Sequence, residues 1–191
     1  IKNKIRKNNY DISKKIEMIE LLLNDCKELG AVEFSKMARM GFISTIILKS
    51  MVKTNNISKK IEDSILNSIE SPLTQFQQDL MSYYKKKISK TKFLTKYGHL
   101  RPGTYDITQL RYDQDNKFLE QMQFKSNVNT VKISSNKINK ILEKNGIDTS
   151  SINFIDFVKR SLEYREEFKF QFTKNLSDIL ELINDIGTEF N

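Results

Sequence analysis

Three features of the sequence predict an all-α fold, a bundle of about six to eight helices with one long ordered loop. Apolar side chains recur in steps of three and four through most of the 191 residues. Helix start and stop signals fall where that periodicity breaks, as at Ser71-Pro72 and at Gly146. No alternating strand–helix–strand pattern and no internal repeat is present. Residues 1–191 are read as a single helical domain, long enough to bury a core of its own.

Taken in order, Ile12, Ile16, Ile19, Leu23 and Cys26 mark the stripe of a helix from about Asp11 to Leu29, which Gly30 is expected to end. Ala31 to Lys53 carries Phe34, Met37, Ala38, Gly41, Ile43, Ile46, Ile47, Leu48 and Met51. That surface is too wide for one stripe, so the helix is expected to be central and contacted from several sides. Asn55-Asn56 predicts a turn, and Ser58 caps a short helix through Ile61, Ile65, Leu66 and Ile69. Ser71 before Pro72 starts the next helix, because proline suits the first helical position. With Phe76, Leu80 and Tyr83 or Tyr84 inward, this helix is expected to extend as far as Tyr97. A short helix is expected within Asn116 to Phe124, and Val128 to Ile133 has strand propensity but too few neighbours for a sheet. Ser135 to Asn145 reads as a helix stopped by Gly146. Ser150 or Ser151 then opens a long helix running through Phe154, Val158, Leu162, Phe172, Ile179 and Ile186.

Composition narrows the function classes. The net charge is +8 and the pI about 9.4, yet Lys85-Lys86-Lys87 is the one uninterrupted basic triplet. Cations mixed with acids read as solvated helix faces, which disfavours a nucleic-acid surface. Mean hydropathy is -0.52 and no apolar run approaches the roughly 20 residues of a membrane helix, so a soluble, cytoplasmic protein is expected. The single cysteine, Cys26, excludes an intramolecular disulfide and suits a reducing compartment. The chain opens on Ile1-Lys2-Asn3-Lys4 without an initiator methionine, so a piece of a longer polypeptide is expected. Neither a G-x-x-x-x-G-K-[ST] phosphate loop nor a G-x-G-x-x-G fingerprint occurs. With one His and one Cys, neither a structural zinc site nor a Cys-His nucleophile pair is easily built, which leaves only a carboxylate site open, and no metal ligand is singled out.

Two places carry candidate chemistry. The run Tyr97 to Asp113 holds the only histidine, one of the two prolines and two of the six glycines, between helical segments. Its aromatic and β-branched residues argue for an ordered loop, and long ordered loops are usually functional. His99 is either a proton shuttle or phosphate contact, or it pins the loop by bonding Asp106 or a backbone carbonyl. Arg101, Asp106 and Arg111 are candidates for an ion-pair lattice that shapes the loop or meets an adjacent domain. On the last helix, Arg165, Glu166, Lys169 and Thr173 fall within an arc of about 100°. Such a face can neutralise a phosphate or carboxylate, with Arg as a planar fork and Lys as a point charge. The plainer alternative is a solvated ion pair worth a few tenths of a kcal/mol.

Phe93-Leu94-x-x-Tyr97-Gly98-His99-x-x-Pro102-Gly103-x-x-Asp106-Ile107, followed by Arg111-Tyr112, resembles a motif of the phosphoenolpyruvate-utilising enzymes. These include phosphoenolpyruvate synthase, pyruvate phosphate dikinase-like proteins and rifampicin phosphotransferases. The commoner form has Arg then Gly after the histidine, where this chain has Leu100 and Arg101. A second block, from Arg165-Glu166-x-x-Lys169-Phe170-x-Phe172-Thr173-Lys174 to Ile183, is similar to the family's helical segment. The resemblance implies the helical middle part of a phosphotransferase. In that family an ATP-grasp domain phosphorylates a histidine on a swivelling domain, which carries the group to the acceptor site. It further implies that Arg165, Glu166 and Lys169 contact a small-molecule acceptor or the phosphoryl group. His99 does not match the phosphate-carrying histidine. ATP and Mg would serve the whole enzyme, with no cofactor in this part, and the chain alone would be catalytically silent. The competing class is a non-enzymatic helical scaffold or adaptor whose wide apolar helix receives a protein partner.

Overall fold

In a computed structural model, which describes residues 10–115, 117, 119 and 135–190, the chain folds into helices and connecting turns with no strand among the described residues. The fold is all-α and multi-helical, as the periodicity predicts. Its frame is an antiparallel pair. Helix α1 (Ile12–Asp25) passes through a π-helical turn (Cys26–Ala31) into α2 (Val32–Lys53), and the composite lies along the 39-residue α7 (Ser151–Glu189), about 58 Å long at 1.5 Å per residue.

The pairing has one register from end to end. Lys15 pairs with Glu189 at one end, Leu22 and Cys26 pack with Ile179 and Leu182, and Ser44 meets Ser161 at 2.5 Å between hydroxyl oxygens. Small residues allow that approach. A Cβ on Gly41 would lie 3.3 Å from both Arg165 Cδ and Leu162 Cδ2, so the glycine leaves room for the arginine stem.

Gly30 does not end the first helix, contrary to the expectation. The Phe172 ring covers it so closely that a Cβ there would lie 2.4 Å from Cδ2. Packing along α7 outweighs the roughly 1 kcal/mol propensity cost of a helical glycine. The π-turn changes the helical phase, so the stripes of α1 and α2 both face α7. Nor is α2 covered on several sides. Gly41, Ser44, Leu48 and Met51 are buried, against α7 and, toward the C-terminal end, against the segment holding Ile57 and Ile65, but Phe42, Ile43 and Ile46 remain 60%, 47% and 65% exposed.

Two satellite layers complete the fold. At one end, α3 (Lys59–Asn67) and α6 (Ser135–Lys144) close a core of Leu48, Met51, Ile65, Ile138, Leu142, Phe154 and Val158. Each such side chain contributes about 1.5–3 kcal/mol by leaving water. Asn55 and Gly146, both with positive φ, turn the chain into and out of this layer. On the flank, α4 (Pro72–Tyr84) opens with a reciprocal Ser71–Thr74 capping box. It ends at Tyr84 and does not extend to Tyr97. Lys86 takes φ 55° and Ser89 caps a separate α5 (Lys90–Tyr97) by accepting from Lys92 N at 3.1 Å. The break folds Phe93 and Tyr97 back onto Phe76 and Leu80, which a straight helix would leave in solvent. The expected short helix and strand-prone run between 116 and 134 lie almost wholly outside the described residues.

The flank contains a pH-sensitive bond. Tyr97, fully buried, donates to Asp79 Oδ2 at 2.8 Å, and Lys96 donates to the same oxygen at 2.9 Å. Burial, then the bond to Asp79, pushes the Tyr97 phenol well above its ordinary value. Burial alone would raise Asp79, but the bonds from Lys96 and Tyr97 hold its carboxyl below the usual range. A raised tyrosine stabilises fully below its unfolded value of 10.0 and loses that contribution as pH climbs toward the folded value. A depressed aspartate stabilises above its unfolded value of 3.8 and loses that contribution in more acid solution. Urea midpoints should therefore fall above about pH 10 and below about pH 4. Tyr97→Phe should flatten the alkaline limb at a cost of about 1.5 kcal/mol near neutrality, and Asp79→Asn should flatten the acid limb.

Candidate functional site

The loop after α5 is held rigidly against α7. Gly98 starts it where no side chain fits, since a Cβ would lie 2.4 Å from Leu94 O and 2.8 Å from Asp113 Cβ. Its two limbs close on each other: Tyr112 N donates to Leu100 O at 2.8 Å and Asp113 N to Gly98 O at 3.2 Å. Two buried arginines then fasten it. Arg101 donates to Glu181 Oε1 at 2.7 Å and reaches Asp106 O at 3.3 Å, while Arg111 donates to Asp178 Oδ1 at 2.7 Å and pairs with Asp113 at 3.2 Å. Ser177 Oγ donates to the His99 carbonyl at 2.6 Å, and the His99 ring stands edge-on to Phe170 at 4.9 Å.

Asp106 is not the partner of His99. It sits exposed at the loop tip, where its Oδ1 accepts from Thr108 N at 2.9 Å and Thr108 Oγ1 at 2.6 Å. Those bonds hold its carboxyl below the usual range. The lattice expected among Arg101, Asp106 and Arg111 therefore runs mainly from the two arginines to Asp178 and Glu181 of α7. Asp106 contributes its backbone carbonyl.

Between this loop, the first turn of α4 and the middle of α7 lies a cavity of about 500 Å³, in the range of small-molecule sites. Leu73, Phe76, Leu100, Tyr112 and Phe170 give it apolar walls, and Ser71, Thr104, Glu166, Lys169 and Thr173 supply polar groups. Burial raises the Tyr112 phenol above its ordinary value, so it is a neutral hydrogen-bonding group at pH 7. Lys169 is exposed, and no carboxylate of the described residues lies within 4.0 Å of its ammonium. That leaves its charge available to a ligand. The Thr173 hydroxyl is buried and donates to Lys169 O at 2.6 Å, so its proton is committed.

The helical ridge is thus divided. Glu166, Lys169 and Thr173 line the cavity with the loop's Leu100, Thr104 and Tyr112. Arg165 faces a neighbouring cavity of about 540 Å³, with Thr45, Lys49, Asn67, Ser71 and Thr74, and Glu166 borders both. Arg165 binds Glu166 through Nε at 2.9 Å and Nη2 at 2.6 Å. His99, Arg101 and Arg111 are buried behind the loop and do not line the first cavity. Arg111 instead borders a third hollow of about 430 Å³ with Asp113, Asp178, Glu181 and Asp185. Sequence reasoning missed Leu73, Asn67 and Lys49 as lining residues. The signal available was Ser71-Pro72, since a helix start places its neighbours beside whatever its first turn faces.

No family model, curated protein or solved structure matches the chain. Among the described residues no helix is long and apolar enough to cross a membrane. Nor does any group of three or more His, Cys, Asp or Glu among them stand where it could hold a metal ion.

Proposed function

We propose that this chain is the acceptor-recognition and docking domain of a phosphoenolpyruvate synthase-like phosphotransferase. The observation that carries the reading is the meeting of the Tyr97–Asp113 loop and the Glu166–Thr173 ridge, the two stretches that resemble that family, in one apolar-walled cavity with the Lys169 ammonium, unpaired among the described residues, at its edge. Apolar walls hold the body of an acceptor, while Lys169 offers a charge to the phosphoryl group as it arrives. Glu166 orients Arg165 and is placed to accept a hydroxyl proton. On this reading ATP and Mg serve the complete enzyme, and activation belongs to an ATP-grasp domain and a swivelling phosphohistidine domain of the same polypeptide, as the family resemblance implies.

In the complete enzyme, Lys169→Ala and Arg165→Ala should each lower the transfer rate about 10- to 100-fold, as for a lost hydrogen bond to a charged group of about 1.5–3 kcal/mol. Folding stability should change by under about 0.5 kcal/mol for Lys169→Ala, an exposed side chain. Unchanged transfer in both variants would sink the reading. A second reading, a scaffold or adaptor receiving a protein partner, is carried by the exposed Phe42, Ile43 and Ile46 face of α2. It predicts full activity in both variants.

A further inference from the structure

The two cavities on either side of Glu166 adjoin as the halves of a groove, with Ser71 and Glu166 lining both. Their chemistry differs. The cavity under the loop is walled by Leu73, Phe76, Leu100, Tyr112 and Phe170, whereas its neighbour presents Lys49, Asn67 and Arg165.

In the polar half several donors are uncommitted, among them the Ser71 hydroxyl, which accepts from Thr74 N. Thr45 Oγ1 donates to Gly41 O at 2.8 Å and Thr74 Oγ1 to Ser71 O at 2.8 Å, so neither hydroxyl has a proton to give. Lys49 has no carboxylate of the described residues within 4.0 Å, and the Asn67 amide has no hydrogen-bond partner among them. Arg165 uses Nε and Nη2 on Glu166 and keeps Nη1. A lysine charge, an amide and one edge of a guanidinium converge there with a single carboxylate, itself neutralised by Arg165. Such a set prefers an oxyanion.

The geometry points to a ligand of one chemical class, an amphiphilic anion: an apolar, preferably aromatic, body seated against Tyr112 and Phe170, and a carboxylate or phosphate held by Lys49, Asn67 and Arg165. This rests on the cavity being the acceptor site, and it specifies the acceptor. The acceptor's own anionic group anchors beyond Glu166, which leaves Lys169 for the incoming phosphoryl group. Neutral apolar compounds fill half the groove and gain nothing from the other half.

Two dyes that share a ring system separate these contributions: 8-anilinonaphthalene-1-sulfonate, which carries the anion, and N-phenyl-1-naphthylamine, which lacks it. Fluorescence titrations use the 191-residue chain with Phe42→Ser, which removes the exposed aromatic ring of α2 as a competing dye surface. At low salt the sulfonate should bind about tenfold more tightly than the neutral dye. Lys49→Gln should reduce that ratio to about twofold or less while the neutral dye keeps its affinity. Molar salt should remove the ratio in the parent chain, an arm that needs no further variant to fold. Leu73→Glu should weaken both dyes. Equal affinities in the parent, or a ratio indifferent to Lys49→Gln and to salt, would overturn the inference. The binding readout is independent of phosphate transfer. A charge-dependent ratio with unimpaired transfer in Lys169→Ala and Arg165→Ala enzymes retains the groove and removes the phosphotransferase reading. The reverse pattern removes the anionic anchor alone.

Discussion

Arg111→Ala should cost about 3–5 kcal/mol, the range for removing one partner of a buried ion pair. The guanidinium, with a side chain 3% exposed, bridges Asp178 of α7 and Asp113 of the loop. Without it, two carboxylates of 10% and 18% side-chain exposure lose the cation between them at the edge of the hollow that also holds Glu181 and Asp185. The loop should detach, since Arg111 and Arg101 supply its side-chain ion pairs to α7. Arg101 by itself is less critical: its carboxylate partner, Glu181, is 23% exposed and can turn to solvent. The second consequence is functional. Leu100 and Tyr112 wall the cavity from opposite limbs of the loop, joined by the Tyr112 N to Leu100 O bond, so ligand binding should be lost with the clamp. Urea denaturation gives the stability and dye titration the site. The double variant Arg111→Met, Asp178→Leu should recover part of the lost stability, because replacing a buried pair by apolar groups is often neutral. A cost below about 1 kcal/mol for Arg111→Ala would show that the clamp does not hold the loop.

What could be read in advance, and what could not, follows from where the determining forces lie. The long α7 was legible because its stripe and its Ser150 cap are local. So were the capping box at Ser71 and the stop at Gly146, whose φ of 68° only glycine adopts freely. The continuation through Gly30 was not, because the Phe172 ring that covers it is 142 positions away in the chain. The break at Lys86 was hidden for a similar reason: Phe93 and Tyr97 keep the helical period, and only their docking on Phe76 forces the turn. The wide apolar surface of α2 was visible, but composition cannot say which half of it stays bare. At the site, three of the four ridge residues reached one cavity, while Arg165 was placed by a glycine on another helix. A helical wheel assigns an arc, and the neighbour across the interface decides which hollow each side chain enters.

Phe93→Ala tests whether the site depends on its own small core. The ring is 1% exposed and packs at 5.4 Å and 4.9 Å, centroid to centroid, on Phe76 and Tyr97. Truncating such a buried aromatic costs about 3–5 kcal/mol through lost burial and the cavity left behind. The damage should be local in kind. Phe76 also walls the ligand cavity, and α5 delivers Gly98 and the loop, so movement of this cluster passes directly into the site. Leu48→Ala is the matched comparison: Leu48 is fully buried in the other main core, with Val158 and Leu142, and should cost about 2–5 kcal/mol. Compared in conditions where both variants remain folded, Phe93→Ala should weaken binding of the neutral dye severalfold. Leu48→Ala should leave that binding near the parental value, because its cluster reaches only the polar half of the groove, through Leu162, Leu66 and Ile69, and no residue of it lines the cavity under the loop. Equal loss in the two variants would mean that the groove depends on the stability of the whole bundle, with no special role for the aromatic flank beneath it.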